Sequence, residues 1–424
     1  MKTQHCFTPA DILLPPAQQI NSGHWAAIAC DQFTSEPEYW KEAEAFVKDA
    51  PSTLRLMLPE VYLSETEQRL PRIHAAMREA MDTLLQLHPD CMIALRRVQS
   101  DGRVRHGLVG KVDLEQYDYR KGADALIRAT EGTVLERIPP RVAIRRDAPL
   151  ELPHVMLLID DPAHTVLAPL FSQQAQEQMP PVYDCPLMLG GGHATGYALS
   201  AQQIADVQAA LQALIRPEAM HARYGDASLA PLLFAVGDGN HSLASAKAAY
   251  EEVKAAIGAE AAATHPARYA LVEVVNLHDD ALSFEPIYRV LFGAKYDDVL
   301  PALRAYASTL QGTASEQTVR CIHGERAEDV TFAHPHQQLT VGTLQAFLDE
   351  YVKAHPGTEV DYIHGEDSLA ALSARDDAVG FLFDGMEKDQ LFRTVIYDGA
   401  LPRKTFSMGH ARDKRYYMEC RKIK

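Results

Sequence analysis

No nucleotide fingerprint of the common kinds is present. The chain contains no G-x-x-x-x-G-K-[ST], no G-x-G-x-x-G, no H-E-x-x-H and no G-x-S-x-G. P-loop NTPases, dinucleotide-binding Rossmann proteins, zincins and α/β-hydrolases are thereby set aside. Cysteine is scarce, at six in 424 residues, and no two form a C-x-x-C pair. Zinc-ribbon spacing and a disulfide framework are excluded, and a reducing cytoplasm is the expected location. Basic residues are also in deficit, with 41 Lys and Arg against 57 Asp and Glu and a net charge of −16. Such a body repels phosphate backbones, so polynucleotide binding is not expected, although a locally basic site can still hold one small anion. Apolar runs are only strand-sized, as at residues 232–236, so no membrane span and no membrane partner are expected.

What is present is an ordinary globular composition, 47% hydrophobic and 23% charged. Ser35 and Pro37 predict a helix start, with Trp40, Ala43 and Val47 on one face. Ser64-Glu65-Thr66-Glu67 predicts a capping box. Strands are expected at 92–98, 104–112, 154–159, 165–170, 232–236, 269–275, 379–383 and 392–396. Ser200 caps an amphipathic helix. The expected fold class is α+β, a mixed sheet core with flanking helices and a helical and loop side lobe. The expected division is a main body over 1–292, an insertion-like lobe over 293–350, and a segment over 351–424 that returns to the body.

The sharpest feature is Phe234-Ala-Val-Gly-Asp-Gly-Asn-His-Ser-Leu-Ala-Ser-Ala-Lys247. An apolar strand stops at a double-glycine turn and a helix begins at once. Glycine permits positive φ and close backbone approach. The unpaired N–H groups of a new helix, together with its dipole, favour an anion in the turn. Gly237, Asp238, Gly239, Asn240, His241 and Ser242 surround that point. The plain alternative is a helix cap and nothing more.

Four weaker clusters accompany it. Gly190-Gly191-Gly192-His193 has the composition of an anion-binding nest or of a flexible loop. Arg128, Thr130, Glu131, Thr133, Arg137 and Arg141 bring cations together, with Pro139-Pro140 between the last two arginines. Arg403-Lys404, followed by Lys414-Arg415, makes the tail basic. Asp361 to Asp367 contains metal-ligand types or simple loop polarity.

The turn resembles the signature of the family catalogued as domain of unknown function 1015, a hydrophobic strand followed by Asp-Gly-His-His-Arg and a helix. Ala29-Cys-Asp-Gln-Phe-Thr-Ser-Glu-Pro-Glu-Tyr-Trp40, Pro51-Ser-Thr-Leu54, Arg128-Ala-Thr-Glu-Gly-Thr133, Phe284-Glu-Pro-Ile-Tyr-Arg289 and Leu401-Pro-Arg-Lys-Thr-Phe-Ser407 fit the same family. Asn240 stands where the usual form has its first His, and Ser242 where it has Arg. The signature is also similar to the phosphate-binding box of the ParB-like fold, whose members include free-serine kinases.

That resemblance implies a nucleotide such as ATP or ADP, or another small phosphorylated ligand, held at the turn. The favoured activity is phosphoryl transfer to a small hydroxyl compound such as an amino acid. Asp31, or Glu36, would be the general base, Asp238 a Mg²⁺ ligand, and His241 a phosphate contact. Gly237, Gly239, Asn240, Ser242, Glu131, Arg137, Arg403 and Lys404 would complete the binding site. The rival functions are a non-catalytic nucleotide sensor, a small-molecule phosphoesterase, and a scaffold with no ligand.

Overall fold

The computed structural model describes residues 5–153, 155–226 and 228–424; His154, expected to begin a strand, lies outside them. The chain divides into two compact units, one running to Leu282 and taking in His410–Lys424, the other Ser283–Gly409.

The first unit is built on a ten-stranded mixed sheet flanked by helices. Five of its elements position the site: strand β1 (Ile127–Ala129), helix α1 (Ile138–Arg146), strand β2 (Met156–Ile159), strand β3 (Phe234–Asp238) and helix α2 (Asn240–Ile257). A sixth, strand β4 (Tyr269–Asn276), holds the middle of the sheet. Across the sheet the order is Pro181–Leu187, Gly192–Ala198, Ile93–Val98, Val104–Asp113, β4, β2, β3, β1 and Tyr117–Asp118, with Phe7–Thr8 added to Val104–Asp113. β4 runs parallel to β2, and β3 parallel to β1, while β2 and β3 are antiparallel. β2, β3 and β4 are almost wholly buried, and both faces of such a central strand can be apolar.

Ala244 and Ala249 of α2 pack with Ile138 and Val142 of α1. Small side chains allow the two helices to approach closely. Pro139 and Pro140 fall at the start of α1, where a missing N–H costs nothing and φ is already helical. The two prolines therefore begin the helix that carries Arg141 rather than breaking it.

Strand 93–98 and strand 104–113 pair as expected, and Ser200 forms a capping box with Gln203. Helix Pro37–Val47 carries Pro37 in its first turn and buries Trp40, Ala43 and Val47. The capping box expected at Ser64 does not form, because a 3-10 segment, Glu60–Glu65, leads directly into helix Thr66–Thr83. Residues 165–170 are an irregular bend leading into a 3-10 segment, not a strand; the Asp161 carboxylate accepts from Thr165 Oγ1 at 3.1 Å and from the Val166 N–H at 2.8 Å. Residues 392–396 lie in helix Lys388–Tyr397, which buries Leu391, Phe392, Thr394 and Val395 and is capped by Glu387 with Gln390.

The second unit is an antiparallel sheet in the order Arg326–Phe332, Gln317–His323, Ala378–Leu382, Phe284–Phe292, Glu359–His364, with Phe406–Met408 also paired to Phe284–Phe292. The expected helical and loop lobe over 293–350 contains the hairpin 317–332 as well as helix Tyr296–Thr309 and most of helix Thr340–Ala354. Its strands alternate buried and solvent-facing polar residues, so their composition resembles that of a loop.

Candidate functional site at the N-terminus of helix α2

β3 ends at Asp238, Gly239 turns the chain with φ of 82°, and α2 starts at Asn240. Gly237 is held against β2: a Cβ there would come within 2.8 Å of Leu158 Cγ. Gly239, the N-cap residue of this 18-residue helix, has no side chain with which to cap it.

The parallel ladder between β1 and β3 pairs Phe234 with Ile127 and Val236 with Ala129. This register carries Thr130 to the turn, where its hydroxyl donates to Val236 O at 2.6 Å and accepts from Asn240 Nδ2 at 3.3 Å. Asn240 Oδ1 and Thr133 Oγ1 are buried without a hydrogen-bond partner. Buried polar atoms are satisfied in the great majority of cases, so two orphans at one turn are notable. Glu131 lies between Thr130 and Thr133 in the chain and is half-buried.

His241 Nε2 accepts from the Val134 N–H at 3.3 Å. Burial holds the imidazole below its ordinary value of 6.5, the guanidinium groups of Arg141 and Arg137 push it further down, and Asp31 pulls the other way. Four expected or noted residues thus converge on one point. Arg137 is the residue before α1, Arg141 lies one turn on and donates to Arg137 O at 2.9 Å, and Arg141 also pairs with Glu60. Ser245 fixes the backbone by donating to His241 O at 2.7 Å.

Asp31 reaches the same region from far away in sequence. Strand Ala27–Ile28 pairs with Tyr416–Tyr417, the Ala29 N–H donates to Arg415 O at 3.0 Å, and the Cys30 N–H donates to the Tyr417 hydroxyl at 3.2 Å. Two residues before the C-terminal strand that fixes Asp31 lies Lys414, whose Nζ stands 3.3 Å from Asp238 Oδ2. Asp238 Oδ1 accepts from the Gly239 N–H at 3.0 Å. Both oxygens of the expected Mg²⁺ ligand are therefore engaged. Among the described residues no group of three or more His, Cys, Asp or Glu is arranged to hold a metal ion.

The remaining predicted residues have other settings. Arg128 is buried and donates to the carbonyls of Ala125, Ala230 and Pro231, which makes it a brace for the chain before β3. Arg403 and Lys404 belong to the second unit, where both lie over the Tyr362 ring and Arg403 Nε donates to its hydroxyl at 3.0 Å. Glu36 precedes helix Pro37–Val47 and is exposed. Gly191 and Gly192 are packed, against Tyr416 and the Val98 carbonyl, and His193 faces Asp184 at 2.7 Å, so the triple glycine meets protein atoms. Lys414 and Glu60 were not singled out as site residues; Lys414 stood out only as a cation in an acidic chain.

The family described as "Protein of unknown function (DUF1015)" matches residues 9–351, and the chain belongs to it. No curated protein matches. Among solved structures the chain is similar to a free serine kinase in complex with AMP, at 10% identity and a TM-score of 0.36 over 74% of this chain and 91% of that one. It is also similar to a conserved hypothetical protein from Pyrococcus furiosus, at 10% identity and a TM-score of 0.33 over 74% and 94%. SbnI with a C-terminal truncation, from Staphylococcus aureus, matches at 12% identity and a TM-score of 0.32 over 71% and 82%. No helix among the described residues is long and apolar enough to cross a membrane.

Proposed function

We propose that the turn from Gly237 to Ser242 binds the phosphates of a nucleotide such as ATP or ADP and that the protein transfers a phosphoryl group to a small hydroxyl compound. The observation that carries this reading is the start of α2 at Gly239, with His241 bonded to the Val134 N–H, Arg137 and Arg141 at the start of the packed helix α1, and Lys414 3.3 Å from Asp238. In a protein of net charge −16, Arg137 and the Lys414 ammonium beside Asp238 are the local cations that favour an anion at this turn, while Arg141 is paired with Glu60. Phosphoryl transfer relies on positioning and charge neutralisation, which is what amides and cations supply.

In this reading the turn amides, Arg137 and Lys414 hold phosphate oxygens, and Asp31 accepts the proton of the acceptor hydroxyl. The acceptor oxygen bonds to the terminal phosphorus. The bridging P–O bond breaks with its electron pair staying on the nucleotide. The products are a phosphomonoester and a nucleotide shorter by one phosphoryl group. Asp238 does not fit a resident Mg²⁺, because such an ion would have to displace the Lys414 ammonium; its carboxylate serves to aim that ammonium.

The test is turnover of ATP and of ADP with a panel of small alcohols, followed by ³¹P NMR, for wild type and Asp31→Asn. The variant should lose about 10²–10⁴ in rate, the usual share of a general base. Full turnover in a variant that melts normally would remove Asp31 from the chemistry, and tight nucleotide binding with no transfer by the wild type would favour a sensor.

A further inference from the structure

Behind the first turn of α2 the first unit forms a half-open cavity of about 160 Å³. Met57, Met77, Ile144, Leu243 and Leu271 contribute apolar wall, and Ser242 and Cys30, the chain neighbours of His241 and Asp31, also line it. Its charged residues are matched among themselves. Arg141 pairs with Glu60, Arg145 Nη2 lies 2.5 Å from Glu151, and Glu151 also takes Arg421 Nε at 2.5 Å. No wall charge is left to meet a charged ligand. Bringing the ammonium and carboxylate of a free amino acid against such a wall strips their hydration with no unmatched wall charge to compensate. An apolar cavity of about 150 Å³ is known to accept benzene, so this one accommodates roughly six to eight non-hydrogen atoms.

We propose that this cavity receives the uncharged, apolar body of the acceptor, so that the substrate class is a small aromatic or aliphatic alcohol rather than a free amino acid. The assignment of the hydroxyl rests on the phosphoryl-transfer reading; binding of the apolar body does not. The geometry supports it because Ser242 belongs both to the phosphate turn and to the cavity wall.

The test is a titration of the full chain, labelled at its methionine methyls and backbone amides, with benzyl alcohol, with serine and with ADP. Benzyl alcohol should shift the Met57 and Met77 methyls saturably, while serine leaves them in place. The methyl of Met220, buried in the same unit but not in this wall, serves as the control. Ala246→Met, which fills the cavity from α2, should abolish the alcohol shifts; if that variant does not fold, the wild-type titration decides alone. No Met57 or Met77 shift at the solubility limit of benzyl alcohol, or an equal shift with serine, would overturn the proposal. Because ADP is read at the Gly239–Ser242 amides, a missing alcohol response with an intact ADP response sinks only the acceptor class. The converse sinks only the nucleotide.

Discussion

His241 accepts a backbone N–H through Nε2, so its neutral form carries the proton on Nδ1. Burial and two neighbouring guanidinium groups keep it neutral at pH 7. A histidine depressed in the folded state binds fewer protons there than when unfolded. Its contribution to stability is complete above the ordinary value of 6.5 and is lost as pH falls through the lower, folded value. A phosphate dianion in the turn reverses the local field. ADP should therefore raise the midpoint of the His241 Cε1–H titration, followed by NMR; an unmoved midpoint under saturating ADP would separate this ring from the phosphates. Gly239 makes a second demand at this scale. Its φ of 82° costs a side chain about 1–2 kcal/mol. Gly239→Ala should lower stability by that amount in urea melts, and no loss would mean that the turn relaxes to another conformation.

Among the elements, the strand, turn and helix at 234–257 were legible because three local signals agree: an apolar run, paired glycines and an Ala-rich periodic stretch. Pro139-Pro140 was harder, since only the packing of α1 on Ala244 and Ala249 shows that the prolines open a helix. Residues 392–396 misled for a related reason. Phe392, Thr394, Val395 and Ile396 favour strands locally, but the Glu387–Gln390 box and the buried face of Leu391, Phe392, Thr394 and Val395 make a helix. The close approach of α1 and α2 also carries a prediction. Ala244→Leu should overfill the contact and cost about 1–3 kcal/mol in melts. It should also weaken ADP binding, because Arg137 immediately precedes α1 and moves with its start. A destabilised variant with unchanged ADP affinity would show that the arginines act independently of that packing.

At the scale of the molecule, the site depends on pairings that no local pattern announces. Asp31 is held by a strand nearly 390 residues further along the chain, and Lys414, just before that strand, meets Asp238. The C-terminal segment is anchored in turn by buried charges: Arg415 Nε lies 3.2 Å from Glu273, Arg415 also pairs with Glu419, and the Tyr183 hydroxyl donates to Glu419 at 2.6 Å. Sequence reasoning reached Asp31 by family resemblance and took Lys414 for tail charge, because the long-range register is set by the folded sheet. The turn and its cations stand or fall together on one calorimetric comparison, ADP binding to wild type, Arg137→Gln and Lys414→Met. A charge-assisted contact contributes about 1.5–3 kcal/mol, so each variant should bind roughly 10- to 150-fold more weakly while keeping its melting temperature. Absence of ADP binding by the wild type at millimolar concentration, or equal affinity in all three proteins, would contradict a phosphate site at the start of α2.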